Sequence, residues 1–348
     1  MRNLILLSLI MLFAASCQQP VEQTPAQELM AVINRVVEQN QIMYGHQDDR
    51  AYGHTWKYED GRSDVLETAG DYPAVMGWDI ARIELEDSIN IDGVPFEHMR
   101  KEIVEQHKRG GINTISWHAY TPDGKDSWVG DMGVVTNILP NGKDYDKFQS
   151  YLEKAAQFLL SLKDEEGKLI PVIFRPWHEH EGNWFWWGEK RCTHQEYREL
   201  WNMTYDYMAA AGLNSLVWAY MPFENQEDKI PAADRFDMLG IDSYQHGPDS
   251  DAYLKSLKEK VAGLVAFGEK YQKPVAITEI GYEGIHSDVW WTEVLYEAMK
   301  GQPLAYVLTW RNAWDRPEHF YSAYPGHSSE ANFKEFMSKP EMLLVNEL

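Results

Sequence analysis

Eight short apolar runs, spaced along most of the chain and separated by helix-length segments, restrict the fold more than any other feature. They are "IMYGH" (42–46), "PAVMGWD" (73–79), "INTISWH" (112–118), "LIPVIFR" (169–175), "SLVWAY" (215–220), "MLGIDSY" (238–244), "PVAITEI" (274–280) and "LAYVLTW" (304–310). Each is rich in β-branched or aromatic residues, as strands buried on both faces are. Helical patterns lie between most of them. "PFEHMRKEIVEQHKRGG" stops at Gly110-Gly111, directly before the third run. "THQEYRELWNMTYDYMAAAG" opens with Thr193 and has Glu196 three residues on, a capping box. "DAYLKSLKEKVAGLVAFGEKYQ" fills the gap before the seventh run. Eight strands alternating with helices predict a single (β/α)8 TIM barrel, and 348 residues suit one such domain. An open doubly wound sheet is the alternative. The polar "GHQDDRAYGH" after the first run lacks the G-x-G-x-x-G turn that a dinucleotide fold would place there.

The N-terminus reads as an export signal. In "MRNLILLSLIMLFAASC" the apolar run is too short to span a bilayer, and small residues lead directly into Cys17. Residues 1–16 are expected to be a lipoprotein signal peptide, Cys17 the lipidated first residue, and 17–27 a polar tether. Residues 28–340 then form the catalytic domain. This places the chain in a Gram-negative cell envelope, lipid-anchored in the outer membrane, on the periplasmic side rather than the cell surface. Its membrane contact would be through the lipid alone, and a monomer is expected. A net charge of −22 gives no footprint for nucleic acid. The one other cysteine, Cys192, can form neither an internal disulfide nor a cysteine-based zinc site, and reads as structural.

In a barrel, reactive residues stand at the C-terminal ends of the strands. There the third run ends in Trp117-His118, and the fourth continues into Arg175, His178 and Glu179. The sixth ends in Asp242 and Tyr244, the seventh in Glu279, and the eighth in Trp310-Arg311. Strand parity puts Glu279 on the side of Val275 and Ile277, and this side is read as facing the barrel mouth. Two carboxylates on strands four and seven are what glycoside hydrolysis requires, one protonated and one ionised. The aromatic run from Trp184 to Trp187 could raise the acid's pKa by excluding water, and Arg175 could hold Glu279 ionised. A metal-dependent hydrolase is the rival chemistry, because His178 and His180 form an H-x-H pair. H-E-x-x-H is absent, however, so no metal and no cofactor are expected.

At these residues the chain resembles glycoside hydrolase family 26, the family of many bacterial β-mannanases. "RPWHEHEGNWFWWG", "ITEIG", "ISWH", "GIDSY" and "LTWRN" carry the resemblance, in the family's order, from about Ile42 to about Asn312. It implies a (β/α)8 fold with Glu179 as acid/base and Glu279 as nucleophile. It further implies sugar contacts from His118 and His178, with Tyr244 orienting the nucleophile. Trp184 would be a platform near the acid, Trp310 the platform beneath the sugar undergoing attack, and Arg311 a contact further along the glycone. The activity implied is retaining hydrolysis of β-1,4-mannan, galactomannan or manno-oligosaccharides, endo-acting or mannobiose-releasing. β-1,3-1,4-glucanase or xylanase activity is the rival within the family, and a non-catalytic glycan-binding lipoprotein the rival outside it. Glu181 departs from the family pattern and reads as a solvated loop residue.

Overall fold

The eight runs form eight parallel strands: β1 (Ile42–Gln47), β2 (Val75–Asp79), β3 (Ile112–Trp117), β4 (Val172–Pro176), β5 (Leu216–Tyr220), β6 (Met238–Gln245), β7 (Val275–Tyr282) and β8 (Leu304–Thr309). The computed structural model describes residues 23–129, 132–224 and 226–348. Each strand pairs with the next, and β8 pairs back onto β1 with Met43 beside Tyr306, so the sheet closes into a (β/α)8 barrel. The helices Phe96–Lys108, His194–Ala210 and Ser250–Tyr271 lie where the sequence predicts them. Thr193 and Glu196 cap the second reciprocally, each satisfying a backbone N–H that the helix leaves open.

The core divides by strand parity. Met43, Val75, Ile173, Val217, Met238, Ala276 and Leu308 fill the barrel interior, while Phe174, Ile241, Val275 and Ile277 pack in the outer layer with the helices. Simple alternation therefore misassigns β7, because Val275 and Ile277 face outward. Glu279 reaches the interior by a different route. Ile277 stands opposite Ile241 and Val307, but the next pairs are Glu279 with Asp242 and Ile280 with Thr309. One extra residue is accommodated at Thr278, and this β-bulge turns the following side chain inward. The Thr278 hydroxyl donates to Asp242 Oδ1 at 2.6 Å and so fastens the bulge to β6.

Two boundaries also differ from the sequence reading. The helix Pro25–Glu38 begins inside the stretch expected to be a tether, with Thr24 and Gln27 forming its capping box. Its buried Leu29, Ile33 and Val36 pack on the interior cluster and close the N-terminal end of the barrel. At the other end, structure continues past residue 340, where Met342–Leu343 pairs with the start of β1. The signal peptide (1–16), Cys17 and the first part of the tether lie outside the described residues.

Candidate active site

The segment after β4 is bent by its own backbone. Trp177 and Glu179 hold φ of +55° and +51°, a region that costs a non-glycine residue roughly 1–3 kcal/mol. The surroundings hold the turn in place. The Trp177 ring is buried and donates to Thr204 Oγ1 at 3.1 Å, and the Tyr197 hydroxyl donates to Trp177 O at 2.8 Å. Consecutive side chains thus diverge. Trp177 goes outward, His178 toward β3, Glu179 over the barrel mouth, and His180 outward to Met221 O at 2.7 Å. The H-x-H pair therefore does not converge on one point.

The four tryptophan-rich positions separate as well. Phe185, Trp186 and Trp187 are buried, with the two indole N–H groups donating to Ala119 O and His178 O at 2.8 and 2.7 Å. Trp184 alone is exposed, at 41%, and its Nε1 donates to Glu179 Oε2 at 2.7 Å. Gly182 makes this possible, since a Cβ there would stand 2.3 Å from the Trp184 ring.

Glu279 is buried between two donors. It accepts from Arg175 Nη2 and from the Tyr244 hydroxyl, the latter at 2.6 Å. Arg175 also donates to Asp242 Oδ2 at 2.8 Å. Burial and the Glu279 charge push the Tyr244 phenol well above its usual range, so it stays a donor. Glu179 has no arginine bonded to it among the described residues. Burial first, then the charges of Glu279 and Glu181, raise it to about 7. One guanidinium cannot compensate every carboxylate in this pocket: burial also raises Asp242 well above the usual carboxylate range, although Arg175 bonds it.

A buried chain runs from β2 to β4. His118 Nδ1 donates to Asp79 Oδ2 at 2.7 Å, and its Nε2 lies 3.2 Å from His178 Nε2. Burial opposes charge on His118, but the Asp79 carboxylate outweighs it and raises the imidazole to about 9. Burial and the Arg175 charge hold His178 well below the usual histidine range. His118 is thus the donor and neutral His178 the acceptor.

His118, Glu179, Trp184, Asp242, Tyr244 and Glu279 line a cleft of about 500 Å³, together with Trp128, Phe185, His246, Trp310, His319 and Tyr321. Tyr321 packs edge-on against Tyr244 at 5.7 Å, over Gly281, where any Cβ would strike its ring. A neighbouring cavity of about 340 Å³ adds Asp92, Arg311 and Arg316. Arg311 is buried, pairs with Asp92 at 3.0 Å, and lies within 3.3 Å of the Tyr52 hydroxyl. Among the described residues, every sequence-predicted site residue therefore lines the cleft or its extension, or bonds directly to a residue that does. Sequence reading passed over Asp79, although it ends β2 on the same rim. It had no signal for Asp92 or Trp128, which loops deliver. Glu181 is more than a solvated loop residue: it is half-buried, its Oε2 is shielded from solvent, and it lines the cleft.

Among the described residues, His178, Asp242 and Glu279 bring potential ligand atoms within 4.8 Å of one another. Arg175 bonds both carboxylates, so the guanidinium supplies the positive charge that a cation would bring.

A closed (β/α)8 barrel with an acid near neutral pKa on strand four and an arginine- and tyrosine-bound carboxylate on strand seven is the arrangement that two-carboxylate glycoside hydrolysis requires. Residues 18–293 match glycosyl hydrolase family 26, and the chain belongs to that family. A GH26 β-mannanase from Bacteroides ovatus superposes with a TM-score of 0.90 and 41% identity, covering 93% of this chain and 96% of that one. A modular endo-β-1,4-mannanase from Cellulomonas fimi gives 0.82 and 29%, covering 94% and 77%. A mannan endo-1,4-β-mannosidase from Bifidobacterium adolescentis is 29% identical over 313 residues, 82% of this chain. The chain spans only 31% of the length of that relative. A mannan endo-1,4-β-mannosidase from Bacillus subtilis is 28% identical over 273 residues, covering 72% and 69%.

Proposed function

We propose that the protein is a retaining β-1,4-mannan hydrolase, with Glu279 as nucleophile and Glu179 as acid/base. The observation that carries this reading is the contrast between the two carboxyls: Glu279 bonded to Arg175 and the Tyr244 hydroxyl, Glu179 without a bonded cation among the described residues and raised to about 7. In the first step a Glu279 oxygen attacks the anomeric carbon. The bond to the leaving sugar's oxygen breaks, its electron pair stays on that oxygen, and Glu179 supplies the proton. Esterification removes the charge of Glu279, one of the causes that raise Glu179, so Glu179 becomes a better resident carboxylate. It then takes a proton from water, the water oxygen attacks the same carbon, and the ester bond to Glu279 breaks. No cofactor enters either step. His118 and His178 are assigned to the sugar under attack, Trp310 to its platform, Trp184 to the leaving side, and Arg311 to the far glycone.

Mannan as the substrate is supported by the names of the relatives. Reducing-end release on mannan, mixed-linkage glucan and xylan tests it, with turnover expected on mannan. Glu279→Ala should abolish this turnover, and Glu179→Ala should keep slow activity on substrates with activated leaving groups. Unimpaired mannan hydrolysis by either variant would remove the assignment. Product sizes from mannopentaose separate endo action from mannobiose release.

The cellular placement belongs to the same reading. Cys17 is the lipidated residue of a monomeric, periplasm-facing outer-membrane lipoprotein. Cys17→Ala should move the protein from the membrane to the soluble fraction, and external protease should spare it on intact cells.

A further inference from the structure

A second cavity, also about 500 Å³, opens beside the catalytic cleft and shares Glu181, Asp242 and Lys260 with it. It leads away from the barrel axis. Its floor is formed by Ile241 on the outer face of β6 and by Leu264 and Phe267 of the helix Ser250–Tyr271. Phe223 from the loop after β5 stands on its other side.

Two features fit a ligand here. Gly263 sits in the middle of a 22-residue helix, where glycine costs roughly 1 kcal/mol relative to alanine. Packing does not require it, because a Cβ there would meet only Glu224 Oε1, at 3.4 Å. A longer side chain at 263 would instead project into the cavity that this residue lines. The second feature is Glu181, whose half-buried side chain stands at the junction of the two cavities. Its Oε2 is buried without a hydrogen-bond partner among the described residues, an arrangement that buried polar atoms rarely sustain. Lys260 Nζ stands across the same mouth, 3.3 Å from Ser243 Oγ. An acceptor and a donor at the rim, with phenyl rings below, match the hydroxyl edge and C–H face of a pyranose.

A sugar backbone follows the main cleft, from Arg311 and Trp310 past the two carboxylates to Trp184. The side cavity joins it at Glu181, on the Glu179 side and away from Arg311. Only a substituent would leave the backbone in that direction. We propose that this cavity receives a single hexopyranosyl branch, α-linked to a 6-hydroxyl, carried by a mannosyl unit on the leaving-group side, with Glu181 at its mouth. The inference rests on the mannan reading above.

The test compares kcat/KM on unbranched mannopentaose and on a manno-oligosaccharide carrying one α-1,6-galactosyl branch, for wild type, Gly263→Ala and Gly263→Leu. Gly263→Leu should lose about tenfold or more on the branched substrate and keep the wild-type value on the unbranched one. Gly263→Ala should fold with an unchanged or higher Tm. If Gly263→Leu loses its melting transition, Gly263→Gln fills the same space with a better-solvated helix former. A wild-type ratio of branched to unbranched turnover in the filled variant overturns the proposal, as does a wild-type enzyme that cleaves only unbranched substrate. Wild-type inactivity on both, with turnover of another β-glycan, would overturn the mannan reading instead.

Discussion

Glu179 and Glu181 are two residues apart, yet their environments give them different work. Glu179 lies under Trp184 and is raised to about 7, first by burial and then by the charges of Glu279 and Glu181. A general acid must be protonated, so the basic limb of kcat/KM should fall near pH 7. Glu181→Gln removes one negative neighbour and makes ionisation of Glu179 easier. Its pKa drops, and the basic limb should move to lower pH while the acidic limb stays. A pH–rate profile of the two proteins checks this, and an unmoved basic limb would show that Glu181 does not act on Glu179. The motif alone marked Glu179 and Glu279 as the pair. It could not mark the environment of Glu181, because burial there is created by β6 and a helix distant in sequence.

At the scale of elements, the strands were legible because each is a continuous apolar run, and the helix caps because they are local chemistry. The direction in which Glu279 points was not. It depends on a bulge at Thr278, visible only as a register shift against β6 and β8. Asp79 was within reach, since it closes β2 as Glu279 lies near the end of β7, but its role emerges only through contact with His118. The turn after β4 gives a further expectation. Gly182→Ala would drive a Cβ against the Trp184 ring and lift it off Glu179. A misplaced platform of this kind should lower kcat/KM by about tenfold to a hundredfold. Thermal denaturation should change little, because Trp184 is an exposed rim residue.

Across the whole molecule, the two ends of the barrel divide stability from chemistry. Every group assigned to the reaction lies at the C-terminal rim, and the helix Pro25–Glu38 closes the opposite end. That helix was hidden in the sequence because its first turn is polar and Pro-bearing, like the tether before it. Ile33 is completely buried there, so Ile33→Ala should cost about 2–5 kcal/mol of stability. Denaturant titration should record that loss while kcat of the folded enzyme is unchanged.

The most direct test of the central claim is to find which atom bonds the sugar. An activated 2-deoxy-2-fluoro mannoside slows the breakdown of a glycosyl-enzyme, and peptide mass spectrometry locates the adduct. The account predicts one sugar per chain, on the peptide carrying Glu279, and none in Glu279→Ala. An adduct on Glu179 or Glu181, or products of inverted configuration with no adduct at all, would contradict it.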